Sequence, residues 1–146
     1  MQASIAKLSD YFFVVPDYQR EYVWKEDDEV EQFLQDIDNE VESGQSYFIG
    51  SIIIVKNNNR KYDVIDGQQR LTTIVLSLCA IRDLLSQIEL NESQDKILSK
   101  IKSLLYEYDL ETGKDNVRLE LQYPESKDFL DSLITNTNFN EETTPS

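Results

Sequence analysis

A chain of 146 residues, 40% hydrophobic and 29% charged, is long enough for one domain with its own core and too short for two. Its 28 Asp and Glu against 14 Lys and Arg give a formal net charge of −14, so the bulk surface repels a phosphate backbone and any contact with nucleic acid has to be local. With no histidine and a single cysteine, the stretch excludes Ser-His-Asp and Cys-His catalysis, His-ligated zinc, histidine-dependent nuclease chemistry and any disulfide framework.

No apolar run approaches the roughly 20 residues needed to cross a bilayer, and no basic-then-apolar-then-small signal opens the chain, so it reads as cytoplasmic with no membrane partner. The first element is Tyr11-Phe12-Phe13-Val14-Val15, β-branched and aromatic, a strand that Pro16 ends. Residues 26 to 42 hold nine Asp or Glu and no Lys or Arg, leaving the rest of the chain at a net of only −5. Val30, Phe33, Leu34, Ile37 and Val41 recur there at helical spacing, which places Asp28, Glu31, Asp38 and Glu42 largely outside the apolar stripe. The plain reading is a solvated acidic face, and Gly44 suits the helix stop.

Residues 47 to 56 (YFIGSIIIVK) and 61 to 65 (KYDVI) flank Asn57-Asn58-Asn59-Arg60 and predict a β-hairpin, with the unbroken run Ile52-Ile53-Ile54-Val55 as a central strand covered on both faces. From Gln68 to about Ile88 the apolar residues go almost all the way round a helix, which predicts burial. Cys79 falls within it as a structural thiol. A second helix is expected over Glu92 to Tyr108, its stripe built from Ile97, Leu98, Ile101, Leu104, Leu105 and Tyr108 and its N-cap from Asn91 or Ser93. Gly113 marks a turn. Val117, Leu119 and Leu121 then alternate with Arg118, Glu120 and Gln122 as one half-exposed strand, and Pro124 opens a last helix carrying Phe129, Leu130, Leu133 and Ile134. The domain is expected to span residues 1–134, with 135–146 a polar tail or linker, and the class is α+β (mixed α/β).

The run Val64-Ile65-Asp66-Gly67-Gln68-Gln69-Arg70-Leu71-Thr72-Thr73 sets a polar, glycine-containing turn between a predicted strand and a buried helix, where helix-start N–H groups and the helix dipole favour an anion. Arg70 has the forked donors for an oxyanion; Gln68 and Gln69 can hold oxygens, a water or a base edge; Asp66 can bind a divalent cation or orient water. A fold-only account stays open beside this one: Asp66 and Gln69 have the spacing of a capping box, and Arg70 suits a surface ion pair. Residues 16 to 24 (PDYQREYVW) pack an Arg, a Gln, two tyrosines and the sole tryptophan together, either to stack on a base while Arg20 reaches a phosphate or to anchor a loop on the core. Phe48-Ile49-Gly50-Ser51 adds a small pair within a strand, a place of close approach.

The ordered set PDYQREYVW, YFIGSIII and YDVIDGQQRLTT, with VRLELQYPESKDFLDSLI following, resembles the N-terminal domain of GmrSD-type, modification-dependent restriction enzymes from about Tyr11 to Ile134. That resemblance implies a ParB/sulfiredoxin-like small mixed sheet with packed helices and DGQQR at a strand-to-helix junction. It implies a domain that binds and hydrolyses nucleoside triphosphates, with a divalent cation, Mg2+ first among them, and that governs DNA cleavage by a separate, His-containing C-terminal nuclease domain. Carried onto this sequence, Asp66, Gln68, Gln69 and Arg70 form the phosphate and metal end, Asp66 being the metal ligand and Gly67 giving backbone access. Tyr18, Gln19 and Arg20 face them, Gly50 and Ser51 lie beneath, and Thr72 or Thr73 contributes a hydroxyl. The stretch is then the isolated N-terminal part of a longer protein. Two other functions fit the residues: a non-catalytic DNA-sensing module reading modified DNA through the PDYQREYVW loop, and a regulatory domain whose acidic helix meets a partner.

Overall fold

The computed structural model describes residues 5–16, 29–43 and 50–135. A 3-10 helix (Ile5–Asp10) leads into β1 (Phe13–Val15); α1 (Glu31–Ser43), β2 (Ile53–Lys56), β3 (Tyr62–Asp66), α2 (Gln68–Leu85) and α3 (Glu92–Leu105) follow. The chain continues through β4 (Tyr106–Asp109), β5 (Lys114–Val117), β6 (Leu119–Leu121) and α4 (Pro124–Thr135). The architecture is α+β: a mixed four-stranded sheet in the order β2-β3-β1-β6, and a separate β4-β5 ribbon.

Every residue of β1 is buried, and β1 pairs in parallel with both neighbours, Phe13 standing opposite Tyr62 of β3 on one side and Leu119 of β6 on the other. Parallel neighbours require long crossovers, and the helices supply them. The core forms where Phe13, Val15, Val64, Leu119 and Leu121 of the sheet meet Leu71, Val75 and Cys79 of α2, Ile101 and Leu105 of α3, and Leu130 and Ile134 of α4. Among the described residues no helix is long and apolar enough to cross a membrane.

The hairpin forms about the predicted turn, but its first strand is corrected: β2 starts at Ile53, so Gly50 and Ser51, expected within the strand, lie ahead of it. Asn57 Oδ1 accepts from the Asn59 and Lys61 backbone N–H groups at 2.8 and 3.1 Å, and Arg60 takes the positive φ, 63°, that closes the turn. The expectation that Ile52–Val55 is central is corrected: β2 stands at an end of the strand order, and Ile53 and Val55 are 52% and 55% exposed. A run of β-branched residues fits any pleated strand, so it carries propensity without coverage. The short β1, with β3 beside it, holds the interior places.

Three further expectations are corrected. The helix beginning at Gln68 is buried through Cys79 on its inner face, but Ile81 and Leu84 face outward, because only that inner face meets the other helices and the sheet. Asn91 does cap α3, in a reciprocal box with Gln94 (Gln94 N to Asn91 Oδ1, 2.8 Å; Asn91 N to Gln94 Oε1, 3.0 Å), yet the helix stops at Leu105 rather than running to Tyr108. Tyr106 to Asp109 becomes β4, which pairs with β5 across a turn tied by Asp109: its carbonyl accepts from Gly113 N and its carboxylate from Glu111 N. Ile97, expected on the α3 stripe, points out.

The single strand expected from Val117 to Leu121 is two. Arg118 separates β5 from β6 and is buried, where the alternation placed it outward. Its Nε donates to the Ser103 carbonyl at 3.0 Å, Nη2 lies 3.4 Å from Glu107 Oε2, and its guanidinium carbon sits 4.4 Å from the centre of the Phe12 ring. A planar cation with five donors can satisfy carbonyls, a carboxylate and a π-face at once, so its burial is compensated. In the acidic segment, α1 buries Phe33 and leaves Leu34 exposed. Glu31 and Asp38 are solvated as expected, while Asp28, Gly44 and the side chain of Glu42 lie outside the described residues. The polar end expected from 135 onward is described only at Thr135, the last residue of α4.

Candidate functional site

The junction between β3 and α2 is built by main-chain geometry. Asp66 is the last residue of β3, still paired with Ile53 of β2, and Gly67 turns the chain with φ 90° and ψ 13°, a left-handed conformation that glycine enters without steric cost. Space demands glycine as well: a Cβ there would lie 2.9 Å from the Ser51 carbonyl oxygen and 3.0 Å from Ile52 Cγ1. The segment entering β2 therefore lies directly against the turn, and α2 starts at once, Leu71 N donating to the Gly67 carbonyl at 2.9 Å.

The capping-box account of Asp66 and Gln69 is overturned. The residue at the cap is Gly67, one position later than the box requires, and no side chain caps the helix. Asp66, held in the strand ladder, is exposed. The end of α2 that carries the positive pole of the helix dipole thus has a glycine where a Ser, Thr, Asp or Asn would occupy it.

Arg70, in the first turn of α2 and half-buried, reaches back across the junction. Its Nη1 donates to the Ser51 carbonyl at 2.9 Å, joining residues 19 apart in sequence. Gly50, with φ 116°, lies beneath the guanidinium, whose Cζ and Nη1 come within 2.6 Å of where a Cβ would stand. Among the described residues no carboxylate pairs with Arg70, in a chain with twice as many acids as bases. Among the described residues Arg70 makes a main-chain contact and not the surface ion pair that its place on the helix also suits.

The structure thus brings Gly50, Ser51, Gly67 and Arg70 into one contact, with Asp66 and Gln68 beside it in the chain. Gln69, Thr72 and Thr73 turn inward and are buried; the Thr73 hydroxyl donates to the Gln69 carbonyl at 2.8 Å. Asp63, another carboxylate near the motif, accepts from Asn57 Nδ2 at 2.9 Å within the hairpin. Tyr18, Gln19 and Arg20, with the rest of the loop through Trp24, lie outside the described residues, as do Phe48 and Ile49. The sequence missed the Ser51 carbonyl as the partner of Arg70. No local pattern encodes a main-chain acceptor 19 residues away.

The sequence model of the family described as GmrSD restriction endonuclease, N-terminal domain, matches residues 3–145, nearly the whole chain. The chain belongs to this family. No curated protein matches it. In this GmrSD N-terminal domain the DGQQR run sits at a strand-to-helix junction, with the glycine at the turn and the arginine folded over it. Among the described residues no group of three or more Asp, Glu or Cys side chains is gathered to hold a metal ion. Asp66 is the exposed carboxylate at the junction among the described residues, a donor set that suits Mg2+ only where phosphate oxygens and water complete the shell.

Proposed function

We propose that the β3–α2 junction of this GmrSD N-terminal domain binds the phosphates of a nucleoside triphosphate and promotes its hydrolysis, the bound or hydrolysed state controlling DNA cleavage by a His-containing nuclease domain elsewhere in the full-length enzyme. The observation that carries the reading is Arg70: a guanidinium tethered to the Ser51 carbonyl, with no carboxylate partner among the described residues, at a helix start that no side chain caps. A chain with net charge −14 neutralises its arginines readily. One that meets, among the described residues, a main-chain carbonyl and no carboxylate, at the positive end of a helix, is placed for an anion.

In this reading the main-chain amides of the α2 start and Arg70 take up the charge that develops on the phosphoryl oxygens, and their fixed positions make that interaction cheap at the moment of reaction. Gln68 holds a phosphate oxygen or the attacking water. Asp66 orients that water or ligates a divalent cation. Such a cation, when bound, neutralises phosphate charge, with water and the phosphates as its other ligands. Tyr18, Gln19 and Arg20 are proposed to complete the nucleotide site, and Thr72 and Thr73 to support it through the buried first turns of α2.

The test is thermal unfolding with each of the four nucleoside triphosphates, with and without Mg2+, followed by phosphate release from the full-length enzyme. A ligand bound only by the folded state stabilises it by about 2.7 kcal/mol at a hundredfold excess over Kd. Asp66→Ala should abolish Mg2+-dependent phosphate release while leaving the fold intact, and Arg70→Ala should weaken nucleotide affinity. No stabilisation by any triphosphate, or full turnover in both variants, would refute the proposal.

A further inference from the structure

We propose that Gly50 is a positioning residue whose missing side chain is the seat of the Arg70 guanidinium, so that Arg70 is aimed at the anion before the anion arrives; this rests on the phosphate-binding reading of the junction. Three atoms of one rigid plane crowd the same point. A Cβ on Gly50 would stand 2.6 Å from Arg70 Cζ, 2.6 Å from Nη1 and 2.8 Å from Nε, so the guanidinium has to leave as a whole. The same plane is fixed at its Nη1 corner by the Ser51 carbonyl at 2.9 Å. Gly50 supplies the floor and Ser51 the latch, both from main chain, and an arginine so held gives up little conformational freedom when it meets an oxyanion.

The arrangement assigns Gly50 no ligand contact of its own. Its effect on binding passes through Arg70. Since the colliding group ends a flexible side chain, the least costly response to a methyl at position 50 is for Arg70 to swing away while the main chain leading into β2 stays in place. The backbone strain of a non-glycine residue at φ 116° is common to every variant with alanine there.

A double-mutant cycle on the intact chain separates the two contributions, with Gly50→Ala, Arg70→Ala and the pair measured for thermal stability and for affinity toward Mg2+-nucleoside triphosphate. Gly50→Ala should weaken affinity about ten- to a hundredfold, as Arg70→Ala does, and add nothing in the Arg70→Ala background. In stability, Gly50→Ala should lower the melting temperature by about 3 °C less when Arg70 is already alanine. Equal stability losses in both backgrounds, or failure of both alanine-50 variants to fold, would overturn the proposal whatever the nucleotide does. Additive affinity losses would also overturn it. Coupled stability with no triphosphate binding in any variant, the parent included, would leave the Gly50–Arg70 seat standing and bring down the phosphate-binding reading instead.

Discussion

Arg82 and Leu133 are joined across 51 residues: Arg82 Nη2, on α2, donates to the Leu133 carbonyl at 2.5 Å, and Nη1 donates to the carbonyl of Ile134. Both acceptors belong to the last turn of α4, whose carbonyls have no partner within the helix and carry its negative pole. Arg82 is 3% exposed and also meets Asp83 Oδ1 at 3.1 Å, so its burial is compensated from three sides. One helix thus begins at the candidate site and, near its other end, holds the last turn of α4.

Arg82→Met should destabilise the domain by about 2–4 kcal/mol in urea denaturation, because methionine fills much of the volume yet leaves a buried and a half-buried carbonyl without donors. Arg82→Lys should recover only part of that, since an ammonium cannot fork to two carbonyls and a carboxylate in one plane. Equal stability of Arg82→Met and the parent would show that the α4 carbonyls find water instead.

Cys79 makes a pH prediction. Burial pushes its thiol up from 9.0 to about 11, with Arg82 pulling it down and Asp83 pushing it up. A raised pKa in the folded state means that the unfolded chain loses its proton first. The thiol's contribution is therefore whole below the unfolded pKa and falls between 9.0 and about 11, at up to about 1.4 kcal/mol per pH unit. The stability advantage of the parent over Cys79→Ala should narrow as pH rises from 9.0 to about 11, and a thiol reagent at pH about 8 should label Cys79 only in denaturant. Rapid labelling of the native chain would contradict the burial.

Asp131 and Glu120 share Lys127 and respond in opposite senses. Burial raises the Asp131 carboxyl, and Lys127 recovers only part of the loss; Oδ1 is buried with no hydrogen-bond partner among the described residues. For Glu120 burial also pushes upward, but Lys127 and Lys61 together outweigh it and the carboxyl is lowered. Ionised Asp131 is thus a net cost that acid relieves, whereas ionised Glu120 is a gain that acid removes. Asp131→Asn should raise the melting temperature at neutral pH, with the advantage fading on acidification already above the ordinary carboxylate value, because the buried parent carboxyl takes up its proton there sooner than the unfolded chain does. Glu120→Gln should do the reverse, and a destabilised Asp131→Asn at neutral pH would show that the Lys127 pair dominates.

The sequence made the periodic elements legible and left their surroundings hidden. β1, the hairpin, the α3 cap at Asn91 and the start of α4 at Pro124 each follow from a local pattern that tertiary contacts reinforce. β4 was lost because Tyr108 stands four residues after Leu104, a helical spacing, although Tyr106-Glu107-Tyr108-Asp109 also alternates as a strand does. Coverage was illegible for Ile53 and Val55, whose exposure depends on which strands lie beside them. At the candidate site the glycine, the arginine and the strand-to-helix turn could be read from DGQQR. The partner of Arg70 could not, being a carbonyl brought close only by the antiparallel return of β2.

The two ends of α2 should answer truncation very differently, although the sequence treats them alike. Leu71 is 1% exposed in the core beside Val64 and Val75, whereas Leu84 is 65% exposed on the outer face. Leu71→Ala removes buried methyl groups and leaves a cavity that the sheet behind it cannot fill, at a cost of about 2–5 kcal/mol. Leu84→Gln changes a side chain already in water and should cost less than about 0.5 kcal/mol. Urea denaturation of both variants, with the denaturant slope checked to be unchanged, decides the matter. If Leu84→Gln were as damaging as Leu71→Ala, the outer face of α2 would have to be covered, and the helix would be buried all round after all.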